Sequence, residues 1–138
     1  LAPEVVLVAL LGATLARLSP RSLLALGLAA GGLRWLGTAA VDSLAWLGPL
    51  QALHAVVVLG LMLGAPLYLD AIVPPQLRST AQAGFAVVSV GIGGAASSLL
   101  SGWLLETGGP TAPCWVAGAG SLALALAAPG WLPRARRC

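Results

Sequence analysis

The stretch PLQALHAVVVLGLMLGAPLYLD, residues 49–70, contains no Asp, Glu, Lys or Arg before its final position. A helix rising 1.5 Å per residue needs about 20 apolar residues to cross a hydrocarbon core of about 30 Å. This stretch is long enough, and it has no charged face to turn toward water, as a surface helix of a soluble protein would. Residues 49–70 therefore predict a membrane-spanning helix.

Composition extends that reading to the whole chain. Hydrophobic residues make up 59% of the 138 residues and charged residues only 8%, against roughly 25% charged in an ordinary soluble domain. So few charges cannot cover a water-soluble globule, and lipid is the expected surrounding. Four more apolar runs complete the pattern, giving spans at about 3–18, 22–40, 49–70, 79–104 and 112–132. Proline and glycine punctuate the separators LSPR (18–21), VDSLAWLGP (41–49), DAIVPPQLR (70–78) and ETGGPTAP (106–113). The expected fold is an all-α polytopic membrane bundle of about five helices over residues 1–133, followed by a basic cytoplasmic tail at 134–138. Ser79 and Gln82 have the spacing of a capping box opening the fourth helix.

Charge placement orients the bundle. With connections placed alternately on two sides, Arg17, Arg21, Arg78, Arg134, Arg136 and Arg137 share one side, while Asp42 and Glu106 lie on the other. The positive-inside bias makes the arginine side cytoplasmic. The net charge of +3 is carried by arginines scattered between oily runs, not by a basic groove interleaved with aromatics, so nucleic acid is set aside. The chain begins at Leu1 and its first charge is Glu4; without the basic region of a signal peptide, it reads as the C-terminal end of something longer. Cys114 and Cys138 have no metal or redox spacing, and no cofactor is expected.

Three ionisable groups fall inside spans: Glu4, Arg34 and His54. Placing a charge there costs roughly 2.5–3.5 kcal/mol on insertion scales, so each needs a partner or a water-filled cavity. Counted at 1.5 Å per residue, Glu4 and Arg34 are nearly equidistant from the inner turn near Ser19, and Arg34 and His54 from the outer connection near Leu44. All three fit one layer in the outer half of the membrane. Arg34 shares its face with Gly27, Gly31 and Thr38, which points it toward another helix. Gln51 lies three residues before His54, and Tyr68 falls within about 40° of its face on a regular helix. Imidazole suits a proton relay, and it equally suits a structural hydrogen bond between helices; the residues leave both open. For Arg34 with Glu4, a structural or gating ion pair stands beside direct contact with a solute. In the fourth span Gly84, Gly91, Ala95, Ser98 and Gly102 fall within about 60° of one another, a stripe suited to close helix packing.

These features together resemble the C-terminal half of a major facilitator superfamily transporter. GATLARLSPRSLLALG (12–27) is similar to that superfamily's glycine-and-arginine inner-loop motif, in the copy between helices eight and nine. It departs at Ser19–Pro20, near a usual glycine, and lacks the aspartate, which weakens a gating role for Arg17 or Arg21. Glu4, Arg34, QALH (51–54) and PPQLRSTAQ (74–82) before a glycine-rich helix resemble the branch of nucleoside–proton and sugar–proton symporters in order and spacing. The resemblance implies the last five helices of a twelve-helix secondary transporter, with alternating access around a site near the midplane. It implies proton-coupled uptake of a small polar solute, with His54, Gln51, Arg34, Glu4 and Tyr68 as pathway candidates and Arg17, Arg21, Arg78 and Gln82 as inner-loop gating candidates. The partners expected are the lipid bilayer, the solute, protons and the N-terminal half of the same chain, in a plasma membrane or bacterial inner membrane.

Two other classes compete. An enzyme needs a nucleophile–base pair or a metal set, and neither G-x-S-x-G nor H-E-x-x-H occurs; an enzyme is not expected. A non-transporting membrane scaffold, or a truncated or degenerate transporter-derived module, has the same composition and remains the alternative.

Overall fold

In the structure, a computed structural model, residues 12, 14–15 and 17–132 are described. Most of the first expected span, Glu4 within it, and the whole basic tail lie outside them. Among the described residues every regular element is helical, and four helices are long and apolar enough to cross a membrane. We number them α1 (Pro20–Ala40), α2 (Ala45–Ile72), α3 (Pro75–Gly108) and α4 (Ala112–Trp131). Each reverses the direction of the one before it. The longest, α3, has 34 residues and therefore spans about 50 Å, so its ends at Arg78 and Glu106 project beyond a hydrocarbon core of about 30 Å.

The helix ends follow local chemistry. Ser19 caps α1, its Oγ accepting from the Ser22 backbone N–H at 3.2 Å, and Pro20 takes the first helical position, where a missing N–H costs nothing. Ser43 caps α2 through the Ala45 N–H at 3.4 Å. At α3 the expected capping box does not form. Pro75 starts a 3₁₀ turn, Pro75–Leu77, and α-helix follows from Arg78. Ser79 is thus already inside the helix, and the Gln82 side chain is bonded to Asp70 instead. Beyond α3, Gly109 has φ +82, a conformation that glycine adopts without a Cβ penalty.

Two helices contain a widened π turn. In α2 it covers Leu59–Leu63. Pro66 offers no N–H to the carbonyl of Met62 four residues earlier, and a local π adjustment absorbs such a lost bond. In α3 it covers Val87–Ile92, where the Ser89 hydroxyl donates to the Phe85 carbonyl at 2.6 Å and competes with the helical ladder.

Packing is inverted relative to a soluble core. Leu23, 1% exposed, is the one large side chain fully buried among the described residues; much of the rest of the interior is glycine and alanine, including Gly27, Ala30, Gly31, Gly32, Ala55, Gly60 and Gly118. Leu99, Leu126 (83% exposed) and Trp131 lie outside. In lipid, where tails are as apolar as leucine, close backbone approach rather than apolar burial drives association. α1 is the hub and packs against both α2 and α4. On the α2 side, a Cβ on Gly60 would stand 2.5 Å from Gly27 Cα. On the α4 side, a Cβ on Gly32 would stand 2.6 Å from Leu122 Cγ, and one on Gly118 2.6 Å from Leu36 Cγ. The stripe expected to pack α3 meets no partner among the described residues: Gly84, Gly91 and Gly102 have nothing there within 4 Å of an added Cβ. The π turn also breaks the even register on which that stripe was drawn.

Candidate functional site

Near the connection that joins them, α1 and α2 bring polar groups together. Gly37 lets Leu50 lie against α1, since a Cβ there would meet Leu50 Cδ2 at 2.5 Å. Arg34, between Gly31 and Gly37, reaches the next residue of α2: its Nη2 donates to Gln51 Oε1 at 3.4 Å, near the outer limit of a hydrogen bond. The guanidinium also lies 5.0 Å from the centroid of the Trp35 ring, a cation–π distance. These contacts offset part of the cost of keeping Arg34 in a span. Thr38, on the same face, bonds back to the Arg34 carbonyl at 2.8 Å. His54 follows Gln51 by one turn of α2 and is half-buried, with its Nδ1 shielded from the surface. Tyr68 is buried, but the π turn Leu59–Leu63 lies between it and His54. Their expected common face assumed an uninterrupted 3.6-residue helix, and the widened turn removes that assumption.

The opposite ends of the helices carry a second set of contacts. Gln82 Nε2 donates to Asp70 Oδ1 at 2.9 Å, tying α3 to the end of α2. Arg78 Nε donates to the Val73 carbonyl at 3.4 Å and braces the same connection. Arg21, on the first turn of α1, donates through Nη2 to the Pro129 carbonyl of α4. That carbonyl has no helical donor, because the residue four places on is Pro133, and a cation suits the negative end of the α4 dipole. Arg17 is exposed in the turn before α1. No cluster of three or more His, Cys, Asp or Glu residues that could hold a metal is present among the described residues, and Cys114 is a free, half-buried thiol.

Compared with known proteins, the chain matches the model of the MFS_1 like family over residues 2–114. The chain belongs to the MFS_1 like family. No curated protein and no solved structure matches it. Membership in this transporter family, with four apolar helices of spanning length, makes it an integral membrane protein of the transporter type. The match covers both polar clusters, Arg34–Gln51–His54 and Asp70–Arg78–Gln82, and ends near the start of α4.

Two contacts escaped the sequence reading although signals for them existed. The Arg21 acceptor was marked by the spacing of Pro129 and Pro133, which leaves one carbonyl without a donor. The α1–α4 seam was marked by small residues, Gly32 in one helix and Gly118 in the other. Asp70 as the partner of Gln82 had no local signal, since the two lie twelve positions apart across a 3₁₀ turn.

Proposed function

We propose that this chain forms part of a proton-coupled secondary transporter that takes up a small polar solute by alternating access, in the nucleoside–proton and sugar–proton symporter branch. The observation that supports it is the Arg34–Gln51 contact across α1 and α2, with His54 one turn away. A long bond between two polar side chains in the outer half of a membrane bundle exchanges readily for a bond to a solute hydroxyl or carbonyl. In this reading Arg34 and Gln51 hold the solute's polar groups, and His54 takes up and releases the coupled proton. The inner contacts of Arg21, Arg78 and Gln82 then hold the inward gate in one state and break in the other. The arginine-rich end, with the C-terminus, faces the cytoplasm by the charge bias. The remaining cavity wall comes from further helices of a longer chain, as the resemblance to a C-terminal half implies.

The test is concentrative uptake of labelled nucleosides and sugars into vesicles under an imposed pH gradient, with the protein expressed from its natural open reading frame. His54→Ala is expected to insert normally and to lose uphill uptake while downhill exchange persists. Uphill uptake at the unsubstituted rate would reject the role of His54. Correct insertion with no uptake of any solute by the unsubstituted protein would favour a non-transporting scaffold.

A further inference from the structure

α1 and α4 touch closely at two levels and part between them. The outer contact is the glycine seam, where Leu122 lies over Gly32 and Leu36 over Gly118. The inner contact is the Arg21 bond to the Pro129 carbonyl. Between the two levels lies a groove of about 650 Å³, within the size range of ligand clefts. Its walls are apolar: Ala25, Leu26 and Ala29 from α1, and Leu122, Ala125 and Leu126 from α4. Ala125 is buried, whereas Leu26 and Leu126 stand exposed at its sides. The groove exists because alanines occupy positions where larger residues would have closed the gap. It runs along α1 from Ser22 to Ala29, about 10 Å at the helical rise.

We propose that this groove holds an acyl chain of an anionic phospholipid, with the lipid phosphate on Arg21. Charge at the inner mouth selects the occupant. The Arg21 guanidinium is held at that mouth by α4, and the Pro129 carbonyl engages only one of its five N–H donors. The others suit a phosphate oxygen pair, the geometry guanidinium recognises best. Arg17 is exposed on the preceding turn, and Arg134, Arg136 and Arg137 follow α4 in the sequence. No acidic residue occurs in 17–40 or 112–138 to oppose them. Trp131, exposed at the inner end of α4, suits the headgroup level of a bilayer. A zwitterionic lipid offers the same chain to the groove but no net charge to the arginines.

The experiment uses phosphatidylglycerol and phosphatidylcholine probes, each with a photoactivatable acyl chain, on the full chain in nanodiscs. Cross-linked peptides are mapped and their yields compared. The phosphatidylglycerol probe is expected to label residues 22–29 and 122–126 about fivefold more than the phosphatidylcholine probe, the ratio that about 1 kcal/mol per surface arginine supplies. Arg21→Gln is expected to bring the two yields together, and Arg21→Lys to retain most of the difference. Ala25→Phe, which fills the groove and leaves the arginine in place, is expected to abolish labelling there by either probe. Equal yields in the unsubstituted protein would mean ordinary boundary lipid and overturn the proposal. So would an anionic preference that survives both Arg21→Gln and Ala25→Phe. If Arg21→Gln fails to insert, Ala25→Phe decides alone: persistent preferential labelling at 22–29 rejects the groove.

Discussion

In α1, Gly27 lies so near Gly60 of α2 that no Cβ fits between the two backbones; in α3, Gly84 and Gly102 face open space among the described residues. Both helices are apolar, rich in glycine and long enough to span. The difference lies in what meets them. Leu36 and Leu122 cross-pack over glycines of the α1–α4 seam, and Leu50 lies over Gly37 on the α2 side, so that Gly27, Gly32 and Gly37 of α1 each have a counterpart that fills the notch. Among the described residues nothing fills the corresponding notches of α3, and none of that helix's spanning window is buried. A small residue permits close approach; the facing surface decides whether approach occurs. The polar layer follows the same division, since Arg34 and Gln51 sit on the tightly joined pair α1–α2.

Substitutions can break or sharpen this contrast. The largest effect is expected for Gly60→Leu. Its Cβ would stand 2.5 Å from Gly27 Cα and 2.8 Å from the Leu23 carbonyl oxygen, and overpacking against backbone costs about 3 kcal/mol or more. Thermal unfolding in detergent should show a much lower midpoint or no folded protein. Gly118→Ala is expected to cost less, about 1–2 kcal/mol, because its tightest contact, at 2.6 Å, is with the Leu36 side chain, which can yield in part, while the nearest backbone atom, Leu36 N, stands at 3.0 Å. Pairing it with Leu36→Ala should cost less than the sum of the two single changes. Gln82→Leu removes the donor to the half-buried Asp70 carboxylate and is expected to cost about 1 kcal/mol; hydrogen exchange over residues 70–82 should accelerate while α1 stays protected. The smallest effect is expected for Gly102→Leu in α3, within about 0.5 kcal/mol in either direction. A loss there as large as that of Gly60→Leu would mean that α3 is packed in the folded protein and would erase the contrast.

How much of this was legible in the residues depends on distance along the chain and on helix regularity. The helical bundle was legible because hydropathy and chain length are strong constraints in lipid. Counting residues from the connection placed Arg34 level with His54, whereas the bond Arg34 makes in α2 is to Gln51, three residues nearer that connection. The π turn at Leu59–Leu63, which falls between His54 and Tyr68, is an irregularity that periodicity did not signal. The α3 stripe is a different case: periodicity identifies small residues on one face but not which helix stands opposite, and none of the described helices does so at Gly84, Gly91 or Gly102. The capping box at Ser79 failed because the diproline at 74–75 starts the helix earlier, and Gln82 finds a carboxylate from another helix. Long-range partners such as Arg21 and Pro129 depend on which helices become neighbours, which local pattern does not specify.

The central claim is that the Arg34–Gln51–His54 layer meets water inside the membrane while the outer side of α4 meets lipid. Cysteine accessibility tests it most directly. With Cys114 and Cys138 replaced by serine, Gln51→Cys and Leu126→Cys are each exposed to a charged, membrane-impermeant thiol reagent in intact vesicles. The account predicts rapid modification at 51 and none at 126. An inert cysteine at 51, or equal reactivity at both positions, would contradict it.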